Sequence, residues 1–158
     1  MSESDPLAAR VYGSVGAIDA GAWDALAGNS NPFISHAFFT ALEDSGSLGQ
    51  GTGWVPAPLA IEAPDGRLLA ALPAYLKGHS QGEYVFDHSW ADAWHQAGQD
   101  YYPKLQIAVP FTPATGPRLL LSDDSLAGPL LRAAETLCEQ QGFSSAHATF
   151  IAPEQVHF

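Results

Sequence analysis

The clearest periodic segment of the chain runs from about Ser125 to Gln141 and reads as an amphipathic helix. Leu130, Leu131, Ala134, Leu137 and Cys138 recur at helical spacing and make one apolar face. Gly142 stands where a left-handed residue would end the helix. Such a helix is stable mainly through burial of its apolar face, so it needs a surface to pack on. The run Arg118-Leu119-Leu120-Leu121 precedes it and a strand-like segment, Ser145 to Ile151, follows. Strand and helix patterns alternate along the rest of the chain as well.

Arg10 to Val15 reads as a first strand. Asp19 to Leu26 starts like a helix, with Asp19 as N-cap and Trp23 and Leu26 on one face. Ser35 to Asp44 reads as a second helix, capped by Ser35 and striped by Phe38, Phe39 and Leu42. Gly46, Gly49, Gly51 and Gly53 mark a loop. Pro58 to Glu62 and Arg67 to Leu76 flank Asp65-Gly66, a hairpin signal. Pro73 has no N–H for a ladder, so a bulge or edge position is expected there. Lys104 to Val109 is a further strand. Pro153-Glu154 would open another helix, and the sequence ends about one turn into it, at Phe158. A helix that short is unstable alone, so residues 1–158 are expected to be a piece of a longer natural chain.

Charge and cysteine content narrow the function classes. Six Lys and Arg against 17 Asp and Glu give a net charge of −11. That balance argues against gripping a phosphate backbone or an anionic membrane surface. No window approaches the run of about 18 apolar residues that spans a bilayer. Met1 to Pro6 lacks the features of a secretory signal. A single cysteine, Cys138, excludes an internal disulfide framework and a Cys-based zinc site. A cytoplasmic protein of one domain is the expectation.

Chemistry concentrates between Tyr84 and Phe111, which holds Tyr84, Phe86, Trp90, Trp94, Tyr101, Tyr102 and Phe111 together with Asp87, His88, Asp92, His95 and Lys104. Aromatics mixed with a few polar groups build either a ligand pocket or an amphipathic core element. His79, His88 and His95 are spaced nine and seven apart and match no zinc pattern, so no metal is expected. There is no Gly-x-Ser-x-Gly elbow for nucleophilic catalysis. Thr112 to Arg118 is a proline-stiffened turn whose Arg118 would either orient an anionic ligand or pair with one of the chain's acids.

Several motifs together resemble the FemAB-like family of GNAT-type N-acyltransferases. They are Asn31-Pro32-Phe33, His36-Ala37-Phe38, Ala41-Leu42-Glu43, Tyr84-Val85-Phe86-Asp87, Ser89-Trp90-Ala91-Asp92-Ala93, Tyr101-Tyr102-Pro103-Lys104-Leu105, Val109-Pro110-Phe111-Thr112-Pro113 and Thr115-Gly116-Pro117-Arg118. The resemblance runs from about Asn31 to the last residue. It implies an α/β (α+β) GNAT-like fold, a mixed central sheet flanked by helices, C-terminally truncated. It also implies that 1–158 is the first of two GNAT-like halves. The implied reaction moves an acyl or aminoacyl group to an amine, as in peptidoglycan-type amide formation.

Within that frame Asp87 or Asp92 is the candidate base, and Tyr102 donates to the leaving group or positions substrate. Lys104 and Arg118 would pair with an acceptor carboxylate or phosphate, Trp90 and Phe111 would form walls, and Thr112 and Thr115 would line the substrate site. Asp87 and Asp92 have helix capping as their alternative role. GNAT enzymes hold the CoA pyrophosphate on a Gly-rich loop at a helix N-terminus. Here Ser122-Asp123-Asp124-Ser125 precedes the main helix instead. This half is therefore expected to bind no cofactor, with acyl-CoA or aminoacyl-tRNA as donor held by the missing C-terminal half. The alternative is a non-catalytic half that recognises a cell-wall precursor or a protein partner.

Overall fold

The computed structural model describes residues 7–85 and 87–158; the readings of Met1 to Pro6 and of Phe86 lie outside the described residues. Among the described residues, eight strands form two four-stranded sheets. The first has β1 (Ala9–Val11), β3 (Leu59–Glu62), β4 (Leu68–Leu72) and β7 (Leu120–Leu121) in that order. The second has β2 (Trp54–Pro56), β5 (Ala74–Lys77), β6 (Lys104–Ile107) and β8 (Ala146–Ala148). Pairing is antiparallel except for β6 with β8.

The α/β class and the mixed pairing are as expected, but the strands divide between two sheets, and Pro73 marks the division. It interrupts the segment expected as one strand, Arg67 to Leu76, leaving β4 in the first sheet and β5 in the second. Lacking an N–H, Pro73 cannot continue the ladder. The irregularity in register lies at Ile61/Glu62 instead.

Four α-helices cover the sheets. Asp19 Oδ2 accepts from Ala22 N–H at 2.8 Å and starts α1 (Ala20–Ala27). Ser35 Oγ accepts from Phe38 N–H at 3.3 Å and starts α2 (His36–Asp44). Helix α3 spans His88–Gln96 and buries none of its residues. The predicted long helix is α4 (Ala127–Gln141), entered through a short 3-10 turn at Asp124–Leu126 and ended by left-handed Gly142. The segment after Pro153 forms a 3-10 turn, Pro153–Gln155. No helix among the described residues is long and apolar enough to cross a membrane.

Alternation along the strands sorts the two sides. Leu59, Ile61, Ala70, Leu72, Leu105 and Ile107 pack with Leu130, Ala134 and Cys138 of α4. Ala60, Ala71 and Tyr75 point the other way and pack with Trp23 of α1, Phe39 of α2 and Trp54. Trp23 anchors that layer by donating Nε1–H to the Ile34 carbonyl at 2.9 Å and meeting Phe39 edge-on. On β6 the residues that do not face α4 are Lys104 and Gln106. The period of two thus puts polar residues on the face away from α4.

Leu130 is fully buried in the α4 layer and Leu131 only partly. Leu130→Ala is expected to lower stability by about 2–5 kcal/mol, with a smaller loss for Leu131→Ala. Urea denaturation of the two variants checks this ordering.

Candidate functional site

Lys77 on β5 and Lys104 on β6 are direct cross-strand partners, and both are buried. Like charges placed opposite each other repel, so two acids are drawn in. Glu83, from the loop after β5, places Oε2 3.0 Å from Lys104 Nζ and Oε1 3.7 Å from Lys77 Nζ. Asp87, at the head of α3, places Oδ2 2.7 Å from Lys104 Nζ. Tyr101 donates its hydroxyl to the same oxygen at 2.7 Å. Lys77 also donates to the Gln81 carbonyl at 2.7 Å and lies over the Trp54 ring, 3.8 Å from its centroid. The loop that delivers Glu83 turns through Gly82 at φ 80°, where a Cβ would come within 2.7 Å of the Phe111 ring. Glycine is required there both by the positive φ and by the close approach.

A cavity of about 350 Å³ lies over this cluster. Val85, Trp90, Trp94 and Tyr101 give it apolar walls, and Trp94 meets Tyr101 edge-on with centroids 6.1 Å apart. Glu83, Asp87, Lys104 and Gln106 form its floor, and Ser145, His147 and Thr149 line one edge. Gln106 donates Nε2–H to Thr149 Oγ1 at 3.1 Å. Glu83 Oε1 and Gln106 Oε1 receive no hydrogen bond among the described residues.

Burial sets the protonation states. It would raise the Asp87 carboxyl, but hydrogen bonds from Lys104, Ser80 and Tyr101 and the Lys104 charge outweigh it and hold Asp87 at about 2. Burial lowers Lys77 to about 8 against the pull of Glu83. It raises Tyr101 to a value beyond the ordinary phenol range, aided by the bond to Asp87. His147 is lowered by burial and by Lys104, so its imidazole is neutral at pH 7.

Of the residues singled out from the sequence, the structure brings Asp87, Trp90 and Lys104 to this cavity. Asp87 heads α3 without a side-chain cap bond, so its carboxylate serves the lysine and not the helix. Trp90 is 67% exposed at the rim. Lys104, expected to meet a ligand carboxylate, is occupied by two acids of the chain itself. Asp92 and Tyr102 lie at a separate depression, with His95 and Asp100.

The remaining four do not line the cavity. Phe111 packs on Trp54 at 5.4 Å. Thr112 donates to the Pro110 carbonyl at 3.0 Å, and the Thr115 carbonyl accepts from Asn31 at 3.4 Å. Arg118 is buried and donates to the carbonyls of Thr149, Ala114 and Pro117. Burial lowers its pKa to about 10. Its guanidinium therefore ties the 114–118 turn to the end of the β8 segment rather than facing a ligand.

Glu83, Gln106, Ser145, His147 and Thr149 were not anticipated as site residues. The signal for most of them is the period of two in Lys104/Gln106 and in Ser145/His147/Thr149, which turns each set to one face. Glu83, in a loop, has no such pattern.

The FemAB-like family model, described as peptidoglycan biosynthesis/recognition, matches residues 14–158. The chain belongs to the FemAB-like family. Comparisons with curated proteins and with solved structures find no match.

Lys104→Met would leave Glu83 and Asp87 buried with too little positive charge, at a cost of about 3–5 kcal/mol. Asp87 has a folded pKa below its ordinary 3.8. Its contribution is full above about pH 4 and is lost as pH falls toward 2. Without Lys104 that protection disappears, so the acid-unfolding midpoint is expected to move to higher pH, as read by circular dichroism.

Proposed function

We propose that this chain is the acceptor-binding half of a GNAT-type N-acyltransferase, transferring an acyl or aminoacyl group to an amine in peptidoglycan metabolism. One observation carries the reading. The buried lysines of the site are already paired, while Glu83 Oε1 and Gln106 Oε1 are without donors among the described residues, beneath a set of aromatic walls. Such a site is completed by a ligand that brings N–H donors, as an amine does. Aromatic faces favour an ammonium group further.

The donor side is assigned to another part of the enzyme. Asp123 and Asp124 stand before α4, and Asp123 accepts from Ser125 N–H at 2.9 Å. Two carboxylates at that helix end disfavour a pyrophosphate. Acyl-CoA or aminoacyl-tRNA would then be held by a second GNAT-like half, with residues 1–158 acting as one domain in the cytoplasm. The same acidic helix end also favours a second reading, in which this half recognises a cell-wall precursor without taking part in the chemistry.

The test is charge-selective binding, followed by NMR on the intact chain. n-Butylammonium is expected to perturb the Trp94, Tyr101 and His147 signals, and n-butyrate to leave them unchanged. Trp94→Ala should weaken the ammonium by about 3- to 30-fold, the loss of one aromatic wall. Equal binding of the anion would contradict the proposal.

A further inference from the structure

Amide formation needs a group that takes a proton from the amine, and the cavity contains one outside the acidic cluster. Asp87 is a poor base, since one oxygen is held by Lys104 and Tyr101 and the carboxyl stays ionised down to about pH 2. Asp92 does not line the cavity. His147 does, and it sits directly across from Gln106 in the β6–β8 register.

His147 Nε2 lies 2.7 Å from Ser145 Oγ, and Ser145 Oγ lies 3.2 Å from Ser144 Oγ. Ser144 commits its proton to the Tyr101 carbonyl. Ser145 can therefore give its own proton either to His147 or to Ser144, and the imidazole lone pair can be engaged or released without breaking the chain of contacts. The charged groups around the ring are Lys104 of β6 and Asp87 at the head of α3. Glu83 reaches Lys104 from the loop before α3. The Tyr101 ring packs edge-on at 5.9 Å. His147 is half-buried, so a proton it collects can pass on to solvent.

We propose that His147, held by Ser145, is the proton acceptor for the amine bound in this cavity. The inference rests on the amine-acceptor reading. With Ser145 Oγ accepting from Nε2–H, an ammonium gives its first proton to the unprotonated Nδ1 of His147, which returns it to solvent. The amine lone pair then forms the N–C bond to the acyl carbon of an ester or thioester donor. The bond to the leaving oxygen or sulfur breaks, the electron pair leaves with that atom, and the second N–H proton neutralises it.

The consequence is a pH-dependent affinity. Between pH 5 and 7 n-butylammonium, Lys77 and Asp87 all keep their charges, so protonated His147 is expected to repel the probe. By linkage, saturating probe should lower the midpoint of the His147 ring signals in an NMR titration of the wild-type chain. Wild-type affinity should weaken by up to about tenfold for each pH unit below that midpoint. His147→Gln should bind with nearly constant affinity across the same range. A wild-type affinity that is flat with pH, a His147 midpoint unmoved by bound probe, or the same pH dependence in His147→Gln would each overturn the assignment while leaving the amine site standing. Absence of probe binding at every pH would overturn the amine reading and this assignment with it.

Discussion

Lys77 and Lys104 face each other across β5 and β6 on the sheet face turned away from α4, and much of the site follows from keeping both charged. An isolated buried ammonium is costly, and two side by side are worse. Glu83 bridges the pair, Asp87 completes Lys104, and the Trp54 ring lies under Lys77. Those contacts fix the loop between β5 and α3 and Asp87, the residue that precedes α3. Helix α3 itself buries no side chain. Its place beside the cavity is thus set more by the ion pair at its head than by an apolar seam. A buried pair of this kind is a weak source of net stability but a strong constraint on geometry, because breaking it leaves a charge uncompensated.

That constraint shapes the chemistry available above it. The carboxylate that the sequence marks as a base is spent on a lysine, and the lysine that it marks as a ligand contact is spent on carboxylates. What remains free is a set of acceptors, an aromatic wall and a neutral imidazole. In the function proposed for it, a site with its cations already paired takes a donor ligand. Membership of a family concerned with peptidoglycan biosynthesis and recognition supplies a biological setting for such a ligand.

Much of the scaffold was legible in the sequence because it depends on local rules. Asp19, Ser35 and Gly142 act where cap chemistry places them, and the face of α4 follows its 3.6 period. Pro73 was legible as an interruption, but whether a proline makes a bulge, an edge or a change of sheet is decided by distant partners, here β7 for β4 and β6 for β5. The site was legible in part for the same reason. The aromatic-rich stretch did contribute cavity walls. Arg118 reads in the sequence as a partner for a ligand anion or for an acid of the chain, because its actual partners, the carbonyls of Thr149 and Ala114, carry no mark there. His147 carries no mark in the sequence because its place depends on a parallel pairing with Gln106, 41 residues earlier.

The ionisation of Asp87 tests this account most directly. Titration of side-chain carboxyl carbons by NMR, with Asp87 assigned by its Asn variant, follows it between pH 3 and pH 8. The account predicts that Asp87 remains largely ionised throughout, its midpoint of about 2 lying below the titrated range. A midpoint at or above the ordinary 3.8 would contradict it. Lys104 would then not be holding the carboxylate, and Asp87 would return as the base in place of His147.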